Sequence, residues 1–200
     1  FTLYHGYKVK QVTDQTGAAL DFRREYDYVT VTRGGADVEY LCLEYTGKSP
    51  KYYSSYAGVC LPANFAYYPI PGYRELFKDS FYGFIDCSLP YDTAFDVRCS
   101  GRKQMYCNLA ARGNNHFAGN ARSITLLSGY YDTLKLNNTL VVYPKYADGE
   151  IRARIKKNMG TFTKQHRDIR TIFIMDTDNL TPYEHLRSYD GYVVTNSMID

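Results

Sequence analysis

The chain has 200 residues, of which 44% are hydrophobic and 22% charged, a makeup that excludes wholesale disorder and allows a core without metals or staples. The 24 basic and 21 acidic residues leave a net charge of +3, so no nucleic-acid partner is expected from charge. No run approaches the roughly 18–20 consecutive apolar residues of a membrane span, no basic start leads into an apolar secretory segment, and no membrane contact is expected.

In chain order, YKVKQV at 7–12 alternates like a strand whose one face is buried. YVTVT at 28–32 joins ADVEYLCLEY at 36–45 through Arg33-Gly34-Gly35, which predicts a hairpin. In the second run Val38, Tyr40 and Cys42 share one side, and Glu39, Leu41 and Leu43 the other. Residues 48–73 read as a loop rich in rings, with Tyr52, Tyr53, Tyr56, Phe65, Tyr67, Tyr68 and Tyr73 set among four prolines. GYRELFKD at 72–79 has helical spacing over about two turns. FYGFIDC at 81–87, SITLL at 123–127 and TIFIM at 171–175 read as further strands. In TLVVYPKYADGEIRARI, Asp148-Gly149 between two strand-like runs predicts a second hairpin. The basic stretch from Arg152 to Arg170 is a candidate contact for an anionic partner, but the solvated face of a strand is preferred, because in IRARIKK the cations alternate with Ile151, Ala153 and Ile155. Seven or more short strands with turn signals between them imply an all-β barrel or sandwich in a single domain over 1–200.

The segment TIFIMDTDNLTPYEHLRSYDGYVVT at 171–195 admits two readings. Thr181-Pro182-Tyr183-Glu184 has the form of a capping box, from which Tyr183, Leu186 and Tyr189 share one side of a short helix that Gly191 ends before a last strand. On that reading Asp176 and Asp178 lie in a solvated turn. The other reading takes them as a metal pair, since two carboxylates at the end of a hydrophobic strand can share Mg²⁺ or Mn²⁺ for glycosyl or phosphoryl transfer. FIMDTDNL also looks similar to the first strand of some nuclease domains. The turn is preferred, because the upstream chain lacks the alternating strands and helices that such enzymes need. No GxSxG, HExxH, GxxxxGK[ST] or GxGxxG motif occurs, and His5, His116, His166 and His185 stand far apart in sequence. No metal, cofactor or enzymatic activity is therefore expected.

Cys42, Cys60, Cys87, Cys99 and Cys107 show no CxxC spacing, and their scatter suits disulfides in an oxidising compartment. An odd count leaves one thiol free, or available to join two copies into a homo-oligomer. Sequons at Asn137 and Asn179 agree with secretion, as does a chain that begins at Phe1, although a trimmed chain would begin the same way.

The order strand, short helix, strand after a run of antiparallel strands resembles the end of a lipocalin. That resemblance spans mainly 123–195; HGYKVKQV at 5–12 can stand for the family's first strand, with Gly6 in place and Lys8 where the family has tryptophan, and the chain contains no tryptophan. It implies an antiparallel up-and-down barrel with one or two short helices, secreted, carrying a small hydrophobic ligand such as a pigment, retinoid or lipid. An eight-stranded barrel is wide enough for one such molecule. Tyr40, Tyr52, Tyr53, Phe65, Tyr67, Tyr68, Tyr82 and Phe84 are the expected lining, since tyrosine joins an apolar face to a hydrogen-bonding hydroxyl. A secreted or viral β-sandwich that binds glycan or protein through exposed tyrosines shares the same strand evidence.

Overall fold

The computed structural model describes residues 1–35, 37–50, 53–63, 65–74, 89, 93–175, 186–189 and 191–195. They fall into two compact units, one formed by Phe1–Pro50 with Ala63–Leu89, the other by Lys51–Pro62 with Pro90–Asp200. Strands dominate both units.

In the first unit β1 (Tyr7–Thr13), β2 (Asp21–Glu25), β3 (Tyr28–Thr32) and β4 (Cys42–Gly47) form two antiparallel pairs, β1 with β4 and β2 with β3. The expected hairpin through Gly34-Gly35 is not formed. Both glycines do take positive φ, but β3 turns back on β2 through Tyr26-Asp27, with Glu25 opposite Tyr28 and Tyr26 at φ 52°. Asp27 holds that turn to the start of the chain: its carboxylate, 5% exposed, accepts from the His5 backbone N–H at 2.7 Å and lies 3.0 Å from the His5 ring. The Arg24 guanidinium donates to the carbonyls of Leu3, Tyr4 and Tyr26 beside it. A buried charge bonded on this many sides fixes one geometry.

The second unit contains β5 (Gly58–Leu61), β6 (Ala94–Arg98), β7 (Met105–Cys107), β8 (Ala110–Gly113), β9 (His116–Asn120), β10 (Leu126–Gly129), β11 (Tyr131–Leu136), β12 (Thr139–Pro144), the helix α1 (Gly149–Gln165), β13 (Thr171–Ile174), β14 (Leu186–Tyr189) and β15 (Tyr192–Thr195). They make sheets in the orders β5-β10-β7, β6-β9-β8 and β11-β12-β13-β15-β14. Two close approaches of main chain depend on glycine, because a Cβ on Gly58 would sit 2.2 Å from the Ser128 carbonyl oxygen, and one on Gly129 2.2 Å from that of Ala57.

The five-stranded sheet corrects the expected barrel. β13 runs parallel to both β12 and β15, with Val141 opposite Ile172 and Ile172 opposite Val193, whereas an up-and-down barrel is antiparallel throughout. Among the described residues no sheet closes on itself. The reason lies in burial. All four residues of β13 and of β15 are buried, and such continuous apolar runs are what a parallel strand covered on both faces requires.

The connection from β12 to β13 is a helix, not a hairpin. Asp148 has extended backbone and its carboxylate accepts the Ile151 N–H at 2.9 Å, so the Asp-Gly pair caps α1 instead of turning a hairpin. Ile151, Ile155, Met159 and Phe162 recur at helical spacing and pack with Val141, Tyr143, Ile172, Ile174 and Val193. The cations of IRARIKK are solvated, as expected, but on a helix. Asp148→Ala removes the cap, and urea unfolding is expected to show a loss of about 1 kcal/mol.

The expected helix over 181–189 is replaced at its end by β14, where the backbone of Leu186–Tyr189 pairs antiparallel with β15. Gly191 takes φ 77° as foreseen, in the hairpin loop between β14 and β15 rather than at a helix end. Most of the expected helix at 72–79, the strand at 81–87 and the capping box lie outside the described residues.

Candidate functional site

In the second unit β12, β13 and β15 point the same way, so Pro144, Ile174 and Thr195 end at one edge of the sheet. Open sheets with parallel strands bind ligands at this carboxyl edge, where the connections diverge. Pairing continues one residue beyond β13, since the Met175 N–H donates to the Thr195 carbonyl at 2.8 Å. The next residues in sequence are Asp176-Thr177-Asp178. Asp176 and Asp178 themselves lie outside the described residues.

The neighbouring strand brings its own groups to the edge. Beyond Pro144 the chain passes Lys145, Tyr146 and Ala147 to the cap at Asp148, and the Ala147 N–H donates back to the Pro144 carbonyl at 3.1 Å. That loop delivers the amino end of α1 to the carboxyl edge, as in any strand-helix-strand unit. Arg152, in the first turn, holds its guanidinium 5.9 Å from the centre of the Tyr143 ring. Asp132 stands opposite Tyr143 across β11 and β12. Burial first, then the Asp132 carboxylate, push the Tyr143 phenol above its ordinary value, with Arg152 opposing them. The Tyr143 hydroxyl is buried and has no hydrogen-bond partner among the described residues.

Exposed rings gather beside this loop. Tyr56 is 88% exposed, Tyr130 62% and Tyr146 45%. Tyr56 and Tyr146 meet edge to face at 5.6 Å, and Lys103 lies 5.0 Å over the Tyr130 ring. Their backbones are tied, Tyr130 N–H to the Ala57 carbonyl at 2.7 Å and Lys145 N–H to the Tyr130 carbonyl at 2.9 Å.

The expected ligand lining is distributed differently. Tyr53 is buried in the second unit, while Phe65, Tyr67 and Tyr68 are buried in the first. There Phe65 packs against Tyr4 at 5.1 Å and Tyr7 at 6.5 Å, and Tyr67 meets Tyr68 at 4.9 Å. The Tyr68 hydroxyl donates to the Ala63 carbonyl, and Tyr45 donates to that of Tyr67. Tyr40 is 60% exposed. Tyr52, Tyr82 and Phe84 lie outside the described residues. Of the exposed rings, Tyr130 and Tyr146 were missed in the sequence, although each stands at a strand end where burial is not needed.

The disulfide expectation is corrected for four cysteines. Cys42, Cys99 and Cys107 are free thiols, and no disulfide forms among the described cysteines; Cys87 lies outside the described residues. Cys60 is buried, with its S–H donating to the Met175 thioether at 3.1 Å, and Cys42 is exposed on β4. Burial pushes the Cys107 thiol from 9.0 up to about 12. A thiol held in its protonated form does not alkylate at neutral pH. At pH 8, iodoacetamide followed by peptide mass spectrometry is expected to mark Cys42 first, with Cys60 and Cys107 reacting only after denaturation. Because the folded state retains this proton more tightly, its stabilising contribution is complete below pH 9 and is lost as pH climbs toward 12.

Asn137 takes φ 54° in the β11–β12 turn, where its side-chain amide donates to the Thr163 hydroxyl at 3.0 Å. Asn179 lies outside the described residues. Among the described residues no group of three or more histidine, cysteine, aspartate or glutamate side chains is arranged to hold a metal. No family model matches the sequence, and no curated protein matches it.

Proposed function

We propose that the second unit is a divalent-cation-dependent transferase acting on a nucleoside-diphosphate sugar, with Asp176 and Asp178 as the carboxylates that hold the cation. One observation carries this reading: the chain leaves β13 at Met175, bonded to Thr195 at the carboxyl edge of three parallel strands, directly into Asp-Thr-Asp. The donor set fits a hard cation, which takes carboxylate oxygens and completes its shell with phosphate and water. Bound there, the cation would neutralise charge on the departing diphosphate. The chain's own groups have separate tasks. Lys145 and Arg152, on the loop and the first helical turn beside the edge, supply positive charge for phosphate oxygens. The buried strands beneath hold the backbone of Met175 in register, one residue before Asp176 in sequence.

The carrier expectation needs an enclosing antiparallel barrel, and three adjacent parallel strands support it less well than they support the transferase. The test is incubation of the full chain with a panel of nucleotide sugars and Mn²⁺ or Mg²⁺, with released nucleoside diphosphate measured by ion-exchange chromatography. Turnover of at least one donor, abolished by a chelator, is expected. Absence of turnover with every donor and both metals would overturn the reading.

A further inference from the structure

We infer that Tyr56, Tyr130 and Tyr146 form the acceptor subsite and that the acceptor is an oligosaccharide. The inference rests on the transferase reading for the word acceptor, and on the surface itself for the ligand class. Tyr56 and Tyr146, 88% and 45% exposed, meet edge to face at 5.6 Å on the second unit, and the backbone of Tyr130, itself 62% exposed, is bonded to Ala57 and Lys145, the neighbours of those two in sequence. Exposed single rings are ordinary, but a cluster of them is not.

The fold goes to some length to assemble this cluster. Gly58 and Gly129 allow β5 and β10 to approach so closely that neither position tolerates a Cβ, and this approach seats the Ala57 carbonyl on the Tyr130 N–H. The pairing of Tyr131 with Pro144 then brings Lys145 and Tyr146 alongside. Tyr56, Tyr130 and Tyr146 come from three separate stretches of sequence, whose backbones these contacts bring side by side.

Position and chemistry select the occupant. Pro144 ends the strand next to β13, about 5 Å away by ordinary strand spacing, so the loop that carries Tyr146 leaves the sheet at the same edge as Met175. Tyrosine rings offer flat apolar faces to the C–H faces of a pyranose, and their hydroxyls, with the ammonium group of Lys103 over the Tyr130 ring, meet its oxygens.

The experiment uses the full chain in the presence of a chelator and without donor, so that binding is read apart from catalysis. Wild type and the variant Tyr56→Ala/Tyr130→Ala/Tyr146→Ala are applied to an array of neutral and acidic oligosaccharides, with urea unfolding as the control for fold. Wild type is expected to retain at least one oligosaccharide, and the triple variant to bind it about tenfold more weakly or worse. The corresponding Tyr→Phe triple variant, which keeps the ring faces, is expected to recover most of the binding. Retention of no oligosaccharide by wild type, or equal retention by wild type and a folded alanine variant, would overturn the inference. Tyrosine-dependent retention in a chain that turns over no donor would uphold the sugar site and remove only the transferase reading.

Discussion

Asp176→Asn and Asp178→Asn are each expected to lower cation-dependent donor turnover by about a thousandfold. An amide keeps the shape of the carboxylate and one oxygen but supplies no negative charge to a hard dication, which prefers charged oxygen ligands. Folding is not expected to suffer, because the parallel sheet is built from residues 139–144, 171–174 and 192–195, whose pairing involves neither aspartate. Steady-state rates in the chromatographic assay, beside urea unfolding of the same variants, separate the two effects. Rates within about tenfold of wild type for both variants would show that the pair does not hold the cation.

The largest structural effect is expected at the glycine crossing in the second unit. In Gly58→Ala the new methyl carbon starts 2.2 Å from the Ser128 oxygen and 2.8 Å from the Gly129 Cα. Both obstacles are backbone, so no rotamer change relieves them; the pairing of Val59 with Ser128 and of Cys60 with Leu127 must open. Gly129→Ala meets the Ala57 carbonyl in the same way. Each substitution is expected to cost about 3 kcal/mol or more, read as a shift of the urea midpoint. The two are also expected to be non-additive, because either one already breaks the shared approach. A Gly58→Ala chain with wild-type stability would mean that these strands do not come so close.

Local signals in the sequence were legible where local chemistry decides the outcome. The alternation of YKVKQV predicts β1, the runs TLVVYP and TIFI predict β12 and β13, and Gly191 takes the positive φ its position calls for. Signals with two physical solutions were misread. Asp-Gly serves a tight turn and also a helix start, and at Asp148-Gly149 the carboxylate chose the N–H of Ile151. IRARIKK alternates with period two, yet Ile151 and Ile155 are also one helical turn apart, and the stripe continues through Met159 and Phe162. Gly34 and Gly35 both take positive φ without making the expected hairpin, since β3 finds its partner upstream.

Strand direction was the costly omission. Ile172 meets Val193 across 21 residues of chain and Val141 across 31, and no local pattern reports such distant partners. One signal was present: TIFI and YVVT are short runs without a charged residue, and in the structure every position of both is buried, as suits a parallel strand covered on both sides. Reading the helix in 149–165 would have supplied the crossover that parallel strands need. That crossover also removes one argument against a metal pair at Asp176 and Asp178, the lack of alternating strands and helices upstream. The ring cluster had no linear signature at all, since its members are drawn together only by the sheet contacts around Ala57, Tyr130 and Lys145.

The most direct measurement is calorimetric titration of Mn²⁺ into the full chain with a nucleoside diphosphate present, repeated with Asp176→Asn/Asp178→Asn. Saturable binding of one cation by the wild type and none by the double variant is expected, with both proteins folded. Cation uptake that is identical in the two, or absent from the wild type, would contradict it.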